Sequence, residues 1–227
     1  MSDSTRWTVI HRAAEGNEGA RAEFVRRYTD VIRAYLGARW RQTPLAHEID
    51  DAAQLVFLDC FKEDGALTRL DREKGPGFRA FLYGVVRNVA RNLERKRGRR
   101  RERQPGSDID LEVLASKDES LAKVFDRAWA ATLLRDAAAL QLERAREGGP
   151  EAIRRHRLLE LRYGDGLPIR EIAARWGVEA DLLHRAYPRA RDEFRRALLD
   201  VVREMQGGGP EGVEGECARL LAHFSRD

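Results

Sequence analysis

Apolar residues recur along this chain at spacings of three and four, with almost no stretch in which they alternate. This 3.6-residue period predicts α-helices, because successive helical turns bring such positions to one face. Alternating runs of β-branched residues bounded by turn residues, which would predict strands, are nearly absent. We therefore predict an all-α fold with two small helical domains joined by a linker, followed by a short C-terminal helix.

Three helices are predicted in the first domain, residues 1–103. The first two run over about Gly19–Arg39 and Ala46–Lys62, and a segment rich in glycine and charge then predicts an irregular loop. The third helix carries an unbroken apolar stripe over Phe78–Leu93. Its other face presents guanidinium and amide groups.

The second domain, residues 121–205, follows an acidic segment, 104–120, which predicts a linker. Within this domain, residues 167–186 have the pattern of a helix-turn-helix, with Gly177 at a left-handed turn and Ala173 where the helices approach closely. The pattern places Leu182 and Leu183 inward. A generic corner between two helices would show a similar pattern.

Residues 206–227 predict a flexible joint and a small amphipathic helix, Val213–Phe224, with its apolar residues on one face. Nothing in the residues themselves says what that face contacts. We interpret the helix as packing on the second domain and modulating access to it.

Charge is concentrated rather than spread along the chain. The net charge is +4 for 227 residues, yet residues 91–103 alone carry eight Lys/Arg against two Glu. Such a concentration indicates a surface that binds a polyanion. A solvated, solubilising face is the alternative.

Several classes of function are disfavoured by the sequence. The longest apolar runs are far shorter than the roughly 20 residues of a membrane span, and the first residues lack the layout of a signal peptide, so we expect a cytoplasmic protein. Cys60 and Cys217 lie far apart, the histidines are scattered, and no glycine-rich phosphate loop is present. We expect no metal, no cofactor and no catalytic activity.

Two stretches resemble region 2 of the bacterial RNA polymerase sigma factors, namely "IDDAAQLVFLDCF" and "FRAFLYGVVRNVARNLERKRGRRR". A third, "HRLLELRYGDGLPIREIAARWGVEADLLHRAYPRARDEF", resembles region 4 of the same family. With these two regions and a short linker, the chain is similar to the extracytoplasmic-function group over about residues 20–202. The resemblance implies a region 2 helical bundle for the first domain and a region 4 helix-turn-helix for the second.

The resemblance also implies partners, namely core RNA polymerase and promoter DNA, and it allows an anti-sigma factor or a regulatory kinase as a further partner. In the family the helix matching Ile49–Phe61 docks on core polymerase, and the side chains off its core stripe here are Asp51, Gln54, Leu55 and Leu58. The next helix reads the minus 10 element as single-stranded DNA, and its candidate contacts are Asn88, Arg91, Asn92, Arg95, Lys96 and Arg99. The loop at 62–77 matches the place where the family captures a flipped-out base.

For the second domain, the resemblance implies that the recognition helix enters the major groove of the duplex minus 35 element. That helix matches about Ala180–Arg196, and its candidate contacts are His184, Arg185, Arg189 and Arg191. Pro188 departs from a regular helix, and we predict a bend just before it.

The sequence thus predicts a sigma factor that directs core polymerase to promoters and assists DNA melting. Three other classes compete with this interpretation: an enzyme, a stand-alone helix-turn-helix regulator of duplex DNA, and a helical RNA-binding or structural protein. The region 2 match disfavours the stand-alone regulator, because such a protein has no use for a helix that docks on polymerase. The helix-turn-helix disfavours the last class.

Overall fold

A computed structural model of the chain describes residues 6–70, 77–101 and 118–205. These ranges contain eight α-helices: α1 Arg6–Ala14, α2 Glu18–Arg39, α3 Ile49–Phe61, α4 Phe78–Arg101, α5 Asp118–Glu147, α6 Pro150–Leu159, α7 Ile169–Trp176 and α8 Ala180–Met205. Two 3-10 turns, Pro44–Glu48 and Leu67–Arg69, and a π-helical turn, Glu160–Gly164, complete the regular structure. No strand occurs in the described ranges, and the all-α prediction is confirmed.

The helix boundaries differ from the predicted ones in three places. Helix α1 was not predicted, although Trp7, Ile10 and Ala13 give it a buried face. The start predicted for α3 was too early, because residues 44–48 form a 3-10 turn before it. Helix α5 begins at Asp118, so residues 118–120 of the predicted linker are helical, while the rest of that linker lies outside the described residues.

The chain divides into two compact units. Among the described residues, the first unit comprises those up to Thr132 together with Glu204 and Met205, and the second comprises Leu133–Arg203. The division therefore falls inside α5. The residues of α5 before Leu133 belong to the first unit, whereas the predicted second domain begins at residue 121.

An aromatic cluster forms the core of the first unit. The ring of Phe24 on α2 meets those of Tyr28, Phe61 and Phe78 edge-on or nearly so, at centroid distances of 4.8, 5.3 and 5.9 Å. Trp129 on α5 stacks on Tyr28 at 5.7 Å. Each aromatic pair contributes about 0.5–1.5 kcal/mol beyond the free energy of burying its surface, so this cluster stabilises the packing of α4 against α2 and α3.

The second unit contains the predicted helix-turn-helix, formed by α7 and α8. Gly177 adopts φ 63°, and the amides of Gly177 and Val178 donate to Ala174 and Ala173, which ends α7 in a left-handed cap. The core beneath the turn consists of Leu158, Leu161, Ile172, Ala173 and Leu183.

One core prediction in this unit was wrong. Leu183 is buried, but Leu182 is 45% exposed. Adjacent residues of a helix point about 100° apart, so the two leucines cannot share one narrow inward face. Helix α8 continues through Pro188 to Met205, and the bend before Pro188 stays a prediction.

Candidate nucleic-acid interface

Helix α4 is held by the apolar stripe that its sequence predicts. Phe78, Leu82, Val86 and Ala90 are fully buried at four-residue spacing, with Val85 and Val89 beside them. Leu93 is only half-buried, and the next fully inward position is taken by Glu94. The opposite side of α4 is thereby directed to solvent.

Glu94 is the carboxylate partner in a buried ion pair. It is 8% exposed and Arg39 of α2 is 4% exposed. Arg39 donates from Nε and Nη2 to the two carboxylate oxygens at 2.7 and 2.9 Å, and the indole Nε1 of Trp40 donates to Glu94 Oε1 at 2.8 Å. Arg39 Nη1 also donates to the hydroxyl of Tyr35 at 3.2 Å.

The ion pair keeps Arg39 charged inside the core. Burial by itself would lower the pKa of Arg39, but the hydrogen bond and charge of Glu94, together with Tyr35, outweigh burial and raise it above its ordinary value. A carboxylate that the sequence counts within the basic run is therefore turned away from the solvent side of α4. Only the helical spacing of the sequence could have indicated that Glu94 is buried, because Glu94 follows Ala90 by four residues and continues the buried row.

The six minus 10 candidates lie together on the exposed side of α4. Their positions span less than half of the helix circumference, as residues separated by three, four or seven do. All of them are exposed: Asn88, Arg91, Asn92, Arg95, Lys96 and Arg99. Arg95 donates to the side-chain oxygen of Asn92 at 2.6 Å, which orients both groups along the helix. The arrangement offers guanidinium, ammonium and amide groups to a polyanion.

A cavity of about 430 Å³ lies beside this face. Phe81, Gly84 and Asn88 line it from α4, and the end of α3 and the loop after it complete the lining with Asp59, Lys62, Ala66 and Arg69. Lys62 and Asp59 form an ion pair at the rim. Phe81 lies within the predicted apolar stripe of Phe78–Leu93, but it is half-buried and lines this cavity.

Gly65 sets the path of the loop on that side. A Cβ at this position would come within 2.6, 2.8 and 2.9 Å of the carbonyl oxygens of Lys62, Cys60 and Asp59, so only glycine fits. The turn is closed by the amide of Ala66, which donates to Asp59 O at 2.9 Å. Residues 71–76 of the loop lie outside the described residues. The role of Gly65 was not predicted, since the close approach depends on the folded path.

The four candidate polymerase contacts form an exposed patch on α3. Leu55 and Leu58 are 41% and 63% exposed, and Asp51 and Gln54 are exposed beside them. The opposite face of α3 is buried through Ala52, Ala53, Val56, Phe57 and Cys60. Large apolar side chains next to polar ones on an open face are typical of a protein contact surface.

The four minus 35 candidates spread over an arc of about 160° on α8, slightly wider than the arc of the α4 candidates. All four are exposed: His184, Arg185, Arg189 and Arg191. Arg189 and Arg191 are two positions apart and so point to nearly opposite sides of the helix. Arg189 pairs with Glu193 at 3.4 Å, whereas the guanidinium of Arg191 lies 5.8 Å from the ring centroid of Tyr187 and lines a groove.

Two tyrosines join α8 to the π-helical turn. The hydroxyl groups of Tyr163 and Tyr187 are 2.6 Å apart and their rings are stacked. Burial and the bond to Tyr163 raise the pKa of Tyr187 to about 12, so its phenol stays protonated at neutral pH. This contact helps to fix α8 beside the core of the second unit.

Two other kinds of site are absent from the described ranges. No group of His, Cys, Asp and Glu residues there could hold a metal ion. None of the described helices combines the length and the apolarity that crossing a membrane requires. Cys217 and the predicted C-terminal helix lie outside these ranges.

An all-α protein that combines a cationic helix face with a helix-turn-helix belongs to the class of helical nucleic-acid-binding proteins. A family model described as ECF sigma factor matches residues 1–200. The chain therefore belongs to the ECF sigma factor family, and it is an RNA polymerase sigma factor that acts in transcription initiation, with core polymerase and promoter DNA as partners. No curated protein gives a significant match. The family match lends no support to a stand-alone regulator.

Proposed function

We propose that this sigma factor reads the minus 10 element as single-stranded DNA with α4 and the duplex minus 35 element with α8. In this proposal it assists melting by holding unpaired bases of the non-template strand, and catalysis belongs to the polymerase. The observation that carries the proposal is the exposed side of α4, where six cationic or amide residues lie together while Glu94 of the same run is buried against Arg39. Such a face attracts phosphates, and the buried carboxylate of Glu94 does not repel them there.

The cavity beside α4 supports capture of a base. Its volume of about 430 Å³ is in the range of small-molecule sites, and Asn88 offers an amide that can meet a base edge. Lys62 and Arg69 lie at the same cavity, where they can hold the adjoining phosphates. A base that leaves the stack requires such a pocket to offset the cost of unstacking, which is a few kcal/mol.

The patch on α3 supports docking on core polymerase. Leu55 and Leu58 provide apolar area, and Asp51 and Gln54 provide polar groups at its edge. Changing Leu58 to Asp places a charge at the most exposed apolar position of the patch and is expected to weaken binding to core at least about tenfold, because an apolar contact is replaced by a desolvated charge. Because Leu58 is exposed, the substitution should leave the fold intact, so weaker binding would not result from unfolding. Circular dichroism of the variant checks that it is folded.

The exposed residues near the start of α8 support reading of the minus 35 element. Helix-turn-helix proteins contact bases mainly with the N-terminal part of the recognition helix, which here presents His184 and Arg185. Arg189 continues the exposed surface, and Arg191 is the least suitable of the four because it faces the groove. An anti-sigma factor or a kinase would control the availability of these surfaces and is not needed for recognition itself.

The test is transcription by purified core polymerase with and without this protein, on a pool of upstream fragments from its own genome. Discrete transcript starts that appear only with the protein, with shared motifs near minus 10 and minus 35, are the expected result. Binding to core without such starts would contradict promoter recognition by these faces. Absence of binding to core would contradict the docking role of α3, and the L58D variant separates the two outcomes.

A further inference from the structure

A groove crosses the second unit between α5, α6 and α8. Its volume is about 680 Å³. Most of its wall is apolar, and the residues that form this wall are Leu134, Ala138, Leu142, Leu159, Pro188 and Phe194. Leu134, Ala138, Leu142 and Phe194 are only half-buried among the described residues, so apolar area at this site is available to an occupant.

The polar groups at the base of the groove are already paired with one another. Gln141 is 3% exposed, and its Nε2 donates to the carbonyl of Ala190 at 3.2 Å. Its Oε1 lies 3.1 Å from Nδ1 of His156. Because these buried groups already hydrogen-bond within the unit and most of the wall is apolar, the groove favours an occupant that offers apolar side chains rather than hydrogen bonds.

The chain itself contains a segment with that property. After α8 ends at Met205, residues 206–212 are rich in glycine, and apolar residues then recur at helical spacing: Val213, Cys217, Leu220, Leu221 and Phe224. These residues lie outside the described ranges. We propose that residues 213–224 dock as a helix in this groove, with their apolar stripe against α5 and α8.

The connection is long enough for such a return. Arg195, at the groove, precedes Met205 by ten residues, which is about 15 Å along α8. The seven residues 206–212 span up to about 23 Å when extended, so they can bring Val213 back beside Arg195. The helix then runs antiparallel to α8 with Phe224 towards Pro188.

Charge favours the same direction. An antiparallel helix places Glu214 and Glu216 near the Arg195 end of the groove, where opposite charges attract. Arg191 and Arg195 rim the groove, so a docked segment covers one side of α8 and leaves the side with Arg189 open. Any other partner of this groove must displace the segment.

The two cysteines of the chain provide a direct test. Cys60 is fully buried, and burial together with Asp59 raises its pKa to about 12, so it does not react at neutral pH. Cys217 is then the reactive thiol of the full-length protein. A second cysteine is introduced as Arg191→Cys in the groove wall or Arg189→Cys on the other side of α8, and a short bismaleimide is added.

Arg189 and Arg191 are matched, since both are exposed arginines on one helix and tethered to Cys217 by nearly the same length of chain. Without docking the tether gives both positions similar effective concentrations and similar rates of crosslinking. With docking, the R191C protein is expected to crosslink within the chain about tenfold faster than R189C. Arg195→Cys is a second groove position and should behave as R191C does.

A second matched pair tests the apolar stripe. Leu221→Asp in the R191C protein should reduce crosslinking to the R189C rate, whereas Ala222→Asp, on the other side of the predicted helix, should leave it unchanged. Equal rates for R191C and R189C, or indifference to L221D, would overturn the proposal. Crosslinks mainly between chains would overturn it as well, because the occupant would then be a second copy. Equal binding of a small apolar dye to the groove with and without L221D would also overturn it. The test does not depend on the promoter assignments.

Discussion

The buried pair of Arg39 and Glu94 makes a quantitative prediction about stability. Glu94→Ala removes three hydrogen bonds and leaves the charge of Arg39 and the indole N–H of Trp40 inside the core without their acceptor. Breaking a buried ion pair by removing one partner costs about 3–5 kcal/mol. With a urea slope of about 2 kcal/mol/M, the unfolding midpoint of the first unit should fall by about 1.5–2.5 M.

Tryptophan fluorescence during urea unfolding reports mainly on the first unit, where the ion pair lies. Trp7, Trp40 and Trp129 belong to the first unit, and Trp176 belongs to the second. The matched control is Asp50→Asn, which breaks the ion pair with Arg33 at 2.8 Å in which both side chains are exposed. That change should cost only about 0–1 kcal/mol.

The double variant Arg39→Met, Glu94→Leu completes the cycle. Replacing both members of a buried pair by apolar residues is often neutral or stabilising, so this variant should regain most of the stability that E94A gives up. If E94A cost no more than D50N, the pair would not hold α4 as described. If the double variant were as unstable as E94A, the destabilisation would come from the shape of the site or from the unpaired indole N–H of Trp40, and not from an uncompensated charge.

Three further predictions test the site and the second unit. Neutralising Arg91, Arg95 and Lys96 together should weaken open-complex formation and lower its log-log salt slope by roughly 0.7 for each single-strand phosphate that these side chains no longer neutralise; an unchanged slope would return the basic run to a solvated surface. Gly65→Ala should destabilise the first unit in urea unfolding by at least about 1 kcal/mol, since backbone oxygens must move, whereas Gly98→Ala, with open space around it, should be neutral or stabilising. Burial lowers the pKa of His156, because the folded state favours the neutral imidazole. The stability present above about pH 6.5 is therefore lost as the pH falls through the lowered folded pKa. Urea midpoints between pH 7.5 and 5 should therefore fall less for His156→Gln than for the unchanged protein, and equal slopes would contradict this assignment.

Sequence periodicity predicted those parts of the fold that depend on local burial. The stripe of α4 from Phe78 to Ala90 and the turn at Gly177 follow from helical spacing and from the left-handed region that glycine favours. The same spacing showed that the six contact candidates of α4 share one side. It also places Arg189 and Arg191 at opposite edges of the arc of minus 35 candidates, and their role as DNA contacts stays a prediction.

Features that depend on long-range contacts were not predictable. Arg39 and Glu94 lie 55 residues apart in sequence, and nothing local to either residue identifies the other as its partner. The cavity beside α4 depends on the path of the loop at Gly65, which close packing of backbone carbonyls determines. The exposure of Leu182 depends on the rotation of α8 against its core, and two adjacent leucines give no information on which of them faces inward.

The position of Glu94 explains how one helix can be both packed and strongly basic. It is the last buried residue of α4 among those whose exposure is described, and Arg95 and Lys96 directly after it are exposed. An apolar residue at position 94 would also be buried, but apolar contact has no preferred direction and would tolerate rotation of the helix end. A carboxylate that accepts hydrogen bonds from two guanidinium nitrogens and an indole N–H is held in one orientation. The ion pair therefore sets the rotation of α4 at the point where its cationic end leaves the core, which is what a surface that must meet bases and phosphates in register requires.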